Sequence, residues 1–148
     1  MPFTWQTTVT DRTSDSYYNA SDTERVNNNN EYLKEYANDY LDIAVTLLGY
    51  TTKTKSSLPR NGTINRLEGS INALKDTVVG TDPLNWITLD ENWQGDSYGF
   101  LYTNANNLEV NQANLFEVFI KIYESQRYCN NYNCGETWGE LFSSVGIQ

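Results

Sequence analysis

The 148-residue chain contains no histidine. That removes at one stroke the commonest general base, the usual zinc ligand and the usual switch near neutral pH, and it disfavours most hydrolase mechanisms. Cysteine is scarce as well. Cys129 and Cys134 share one loop-like stretch, CNNYNC, which is neither a CxxC redox motif nor half of a zinc site. Free thiols in a surface loop and a short local disulfide both fit, and the small ring of the latter would constrain little of the chain. Basic residues number ten against nineteen acidic ones, for a net charge of −9, a balance that repels phosphate backbones and anionic lipid surfaces. Nucleic acid is not an expected partner. No apolar run approaches a membrane span, and the start MPFTWQTTVT has neither the basic region nor the apolar core of a signal peptide. No membrane association is expected, and synthesis in a cytoplasm is.

Uncharged polarity takes the place of what is missing. Hydrophobic residues at 39% and charged residues at 20% leave a share that 19 Asn and 16 Thr fill. The length suits one domain over residues 1–148. Within it a similarity recurs at a constant interval: Glu24-Arg25-Val26-Asn27 lines up with Asn65-Arg66-Leu67-Glu68, and that with Asn106-Asn107-Leu108-Glu109, without a gap. Leu33, Leu74 and Leu115 keep the same register, as do Ala37, Val78 and Phe119. A period of about 41 residues is typical of stacked helical units. The expected fold is therefore mainly α, with three helical repeats over residues 15–55, 56–97 and 98–128, a tail over 129–148, aromatic loops and room for minor β structure.

Local signals place the helices. Ser21-Asp22-Thr23-Glu24 reads as a capping box that starts a helix near Asp22. Val26, Leu33, Ala37, Tyr40, Leu41, Ala44, Leu47 and Leu48 form its apolar stripe, and Gly49 is its natural stop. The run Asn27 to Asn30 is a poor helix former, however, and Ile43 to Thr46 is β-branched enough to feed a strand instead. Thr63 is the expected cap of a second helix, whose Ile64, Leu67, Ile71, Leu74 and Val78 alternate spacings of three and four until Gly80, as a narrow packing seam does. The third helix follows Tyr102-Thr103-Asn104 and is apolar on more than one side, so it should be central or covered by another subunit. The expected repeat core is Val26, Leu33, Leu67, Ile71, Leu74, Leu108, Leu115 and Phe119. In the long connector 80–104, Trp86 to Leu89 and Phe100 to Tyr102 are candidate short strands, and residues 136–142 suggest a final short helix.

The string Tyr18-Asn19-Ala20-Ser21-Asp22-Thr23-Glu24-Arg25-Val26, followed by Asn29-Asn30-Glu31-Tyr32-Leu33, resembles the pattern (aromatic)-Asn-Ala-x-Asp-x-Asn-Arg-(Ile/Val)-Glu-x-Asn-x-x-Tyr-Leu. That pattern belongs to small proteins encoded among the tail genes of phages and prophages of Gram-positive bacteria. Leu58-Pro59 ahead of Ile64-Asn65-Arg66-Leu67-Glu68 is similar to its second copy. The chain departs by carrying Glu24 and Asn27 where the family prefers Asn and Glu, and by lacking the arginine in the third copy. The resemblance implies a non-enzymatic virion protein in the tail region. It would be a baseplate component or fibre-attachment adaptor, homo-oligomeric and partnered by other tail, baseplate or fibre proteins.

Other functions have weaker support in the residues. Glu24, Arg25, Asn65, Arg66, Glu68 and Glu109 suit a polar network that sets repeat packing, the alternative being solvated helix-face charges. Tyr18, Trp86, Trp93, Tyr98, Phe100, Tyr102 and Trp138 are candidate interface residues. With Tyr17 they could instead stack on sugar rings, which makes recognition of a host-surface glycan the alternative function. Asp90 to Asp96 has the oxygens and glycine of a calcium loop, but position twelve is Leu101 where a bidentate Glu is required, so a polar turn is the better reading. No carboxylate pair is set apart by an apolar environment as glycoside hydrolysis needs. Lysines and Arg60 interrupt any acidic row that could mimic DNA. The acceptor motifs at Asn19 and Asn61 fall at predicted helix caps. No catalytic, cofactor or metal-ligating residue is assigned.

Overall fold

The computed structural model describes residues 2–52, 61–91, 93 and 100–131. Three helices carry the fold: α1 (Ala20–Leu41), α2 (Asn61–Val78) and α3 (Tyr102–Asn131). Their first residues are evenly spaced along the chain, and every pair of helices packs together. The chain is thus mainly α. Among the described residues there is no strand, and the segments around Trp86–Leu89 and at Phe100 run as connectors instead.

α1 is capped two residues ahead of the expected Ser21. Asn19 is the N-cap, its side chain accepting from the amides of Ser21 and Asp22, and the Asp22 carboxylate accepts in return from the Asn19 amide. Asparagine caps as well as serine, and the choice lets Glu24 reach a distant partner. The helix runs through the asparagines from 27 to 30 because Asn29 and Asn30 are buried and hydrogen-bonded to other segments, which offsets their low propensity. It stops at Leu41 and not at Gly49. Asp42 is left-handed (φ 57°), and its amide and that of Ile43 both donate to the Ala37 carbonyl. Beyond the stop, Leu41 and Val45 are buried and Ile43 and Leu47 half-buried, while Asp42, Ala44, Thr46 and Leu48 are exposed. That alternation is extended backbone, so Ala44 and Leu48, like the half-exposed Tyr40, leave the expected stripe.

α2 begins at Asn61, ahead of Thr63. It ends where Val79 and Gly80 both donate to the Lys75 carbonyl, with Gly80 at φ +82°, a conformation that glycine adopts without strain. Val26, Leu33, Leu67, Ile71, Leu74, Leu108, Leu115 and Phe119 are each at most 1% exposed and meet at the centre of the bundle. Part of the wide apolar face of α3 is covered from within the chain. Trp5 stacks on Phe116 at 4.4 Å between ring centres, and Tyr32 packs edge-on against both. The suggested helix over 136–142 lies outside the described residues.

Candidate functional site

The extended segments have no strand partner, so their backbone groups must be paired in another way. Helix-borne asparagines do this, because a side-chain amide presents one donor and one acceptor like a neighbouring peptide. Asn29 accepts from the Gln6 amide and donates to its carbonyl, both at 2.9 Å. Asn106 does the same to Arg12 (3.1 Å each), Asn111 to Ile87 (3.0 and 2.7 Å) and Asn65 to Trp93 (2.7 and 3.0 Å). On α2 the Ser70 hydroxyl accepts from the Leu48 amide at 3.0 Å.

The order of these contacts is regular. Each segment is held first by the helix that follows it and then by a different helix. Gln6 lies on α1 and Arg12 on α3, and Ile87 lies on α3 and Trp93 on α2. Leu48 lies on α2, and the Tyr50 hydroxyl donates to Glu24 of α1 at 2.6 Å; burial, helped by that bond, raises the phenol to about 12.

Where two of the segments reach their second helix, each meets a buried carboxylate three residues after the gripping asparagine. Glu109 follows Asn106, and Glu68 follows Asn65. Glu109 is fully buried and accepts from Arg12 Nη2 (2.5 Å), Arg25 Nε (2.6 Å), Arg25 Nη2 (3.1 Å) and the Val9 amide (3.2 Å). Asp22 bridges the same two guanidiniums at 3.0 and 2.6 Å. Two cations and two anions therefore balance. Burial would raise the Asp22 carboxyl, but the Asn19 amide and both arginines outweigh it and hold its pKa below the ordinary 3.8. Arg12 also lies over the Tyr18 ring at 5.5 Å. The Tyr18 hydroxyl is buried without a partner among the described residues, and burial with the nearby anions pushes its pKa up.

Glu68 is 1% exposed and has a different neighbour. Its Oε2 accepts from the Trp93 indole N–H at 2.9 Å, and no cation pairs with it among the described residues. Burial, with Asp90 and Glu91 nearby, pushes its pKa up to about 8 despite that bond. At neutral pH the group is mostly a neutral acid.

A third polar feature ties the helices at their centre. Gln112 of α3 donates to the Val26 carbonyl and to Asn30 Oδ1, both at 2.7 Å, and Asn30 donates to the Leu67 carbonyl of α2 at 3.4 Å.

The structure brings together Arg25 and Glu109, and separately Asn65 and Glu68. Glu24 is engaged by Tyr50, and Arg66 is exposed with its guanidinium on the Gly49 carbonyl at 3.3 Å. Of the candidate interface aromatics, Tyr18 and Trp93 pack edge-on against Phe100, at 5.3 and 5.5 Å. Trp86 is half-buried beneath the Lys75 ammonium at 5.2 Å, and Tyr102 is 36% exposed. Tyr98, Trp138, Cys134 and most of the calcium-like stretch lie outside the described residues. Arg12, Asn111, Gln112 and Tyr50 are not singled out by the sequence. The one available signal is asparagine inside helices, where local propensity argues against it. Chemically, the four donors on Glu109 all come from the chain itself, so that carboxylate acts as a cross-link. No family model, curated protein or solved structure matches the chain.

Proposed function

We propose that this chain is a non-enzymatic structural adaptor of a phage tail, at the baseplate or a fibre attachment, built from three helical repeats of equal period closed into a ring. The observation that carries the reading is the regular order of the grips. Each extended segment is bound by its own helix and then by the helix of the preceding unit, and the first segment, through Arg12, is bound by the last helix. Such closure makes a small rigid body from a chain with few apolar residues. It leaves apolar side chains in the connectors facing outward, among them Tyr17 and Leu84 at 88% exposure and Leu101 at 57%, as a protein interface requires. The tail assignment comes from the resemblance around Tyr18–Leu33, whose polar residues serve here as cap (Asn19), ion-pair partners (Asp22, Arg25) and grip (Asn29).

Mass spectrometry of purified virions, with light scattering of the protein alone and mixed with tail proteins, tests the proposal. Incorporation into the particle and an oligomer or stable tail complex are expected. A monomer that joins no tail component and binds or cleaves a cell-wall glycan would overturn it.

A further inference from the structure

The two places where a segment meets a buried glutamate are built alike but neutralised differently. We infer that the joint between α2 and the segment through Trp93 is a proton-dependent latch, closed while Glu68 is protonated and loosened when Glu68 ionises.

Three observations carry this. Among the described residues the joint is held at Trp93 by three bonds, two between Asn65 and the Trp93 backbone and one from the indole to Glu68. The charged groups that act on Glu68 are Asp90 and Glu91, both anionic and both on the segment that would leave. From its own helix, Arg66 turns to the Gly49 carbonyl, and α1 and α3 pair no cation with it among the described residues. Ionisation therefore places an anion in a buried site near two other carboxylates, its one hydrogen-bond partner among the described residues being a neutral N–H, and release of the segment admits water to Glu68 and carries Asp90 and Glu91 away from it. The register of the repeat, which rests on the reading above, also names the missing cation. Glu109 of the third unit is served by Arg25 of the first, so Glu68 of the second would be served by position 107 of the third, where this chain carries Asn107.

Amide hydrogen exchange of residues 86–91 and Trp93, taken as protection relative to residues 3–12 between pH 6 and 9, reads the latch. Because Glu68 binds its proton more tightly with the segment docked than with it released, protection should fall by about tenfold per pH unit up to about pH 8. Glu68→Gln should abolish that fall, and an unchanged fall in this variant, or a flat wild type, would overturn the latch. Should Glu68→Gln fail to fold, carbon-13 NMR of the Glu68 carboxyl in the wild type decides. A midpoint above about 7 supports the latch and one near 4 to 5 overturns it. Asn107→Arg separates the two readings. A flat profile supports both the latch and the register, whereas a fall that persists in Asn107→Arg and vanishes in Glu68→Gln keeps the latch and overturns the register.

Discussion

Glu109 and Glu68 occupy corresponding places on neighbouring helices, each at most 1% exposed and each three residues after an asparagine that grips an extended segment. One is an ionised partner in a four-charge cluster, and the other is kept mostly as a neutral acid by burial and the nearby Asp90 and Glu91, against the pull of the Trp93 N–H. A buried carboxyl needs either a cation or a proton, and this chain uses one solution at each joint. The lesson is that the motif Asn-x-x-Glu marks where a segment docks at these two joints, while the presence of cations, Arg12 and Arg25 at Glu109 and none among the described residues at Glu68, decides the charge state.

The largest effect should come from breaking the charged joint. Arg25→Ala leaves Glu109 and Asp22 sharing one guanidinium and should cost about 3–5 kcal/mol in urea unfolding, the usual penalty for removing one member of a buried ionic set. A loss below about 1 kcal/mol would show that solvent reaches the cluster. The apolar seam common to both joints comes next. Leu74→Ala should cost about 2–5 kcal/mol through lost transfer energy and a residual cavity. Smaller still, Asn106→Ala and Asn65→Ala should each cost about 1–3 kcal/mol by leaving one residue's buried backbone groups unpaired. Asn106 should be the costlier, since its grip also places Arg12 on Glu109.

The joints should also differ in the sign of their pH dependence. Asp22 has its pKa lowered in the folded state, so its contribution is complete above its ordinary 3.8 and is lost as pH falls through the lowered value. Asp22→Asn should therefore flatten the acid limb of the stability curve and leave the alkaline side, where Glu68 titrates, unaltered. The smallest effect is expected at Arg66, the exposed counterpart of Arg25. Arg66→Ala should change stability by no more than about 0.5 kcal/mol, and a loss comparable to that of Arg25→Ala would mean that the two arginines do the same work.

Much of the helical framework is legible from residue order, for definite reasons. The seam Ile64, Leu67, Ile71, Leu74 follows the helical period, and Gly80 stops α2 where a left-handed residue is needed. The end of α1 differs from its expected place because Leu41, Ala44, Leu47 and Leu48 fit a helical stripe as readily as Leu41, Ile43, Val45 and Leu47 fit an extended run, and it is Asp42 that turns the chain. The first cap differs because Asn19 and Ser21 are both good caps, and the reach of Asp22 to Arg12 and Arg25 favours the earlier one. Arg12 and the N-terminal segment escape a sequence reading, since nothing local distinguishes a threonine-rich extended stretch from a loop.

Residue order alone specifies three helices, their apolar seam and the amides that recur with the helices at even spacing. These follow from backbone propensity and side-chain periodicity, which act over a few residues. Tertiary packing settles which segment each asparagine grips, which glutamate meets arginine and which is left to a proton. Burial and charge balance depend on groups as far apart as Arg12 and Glu109, 97 positions along the chain, and their energies are fixed only when the segments lie together.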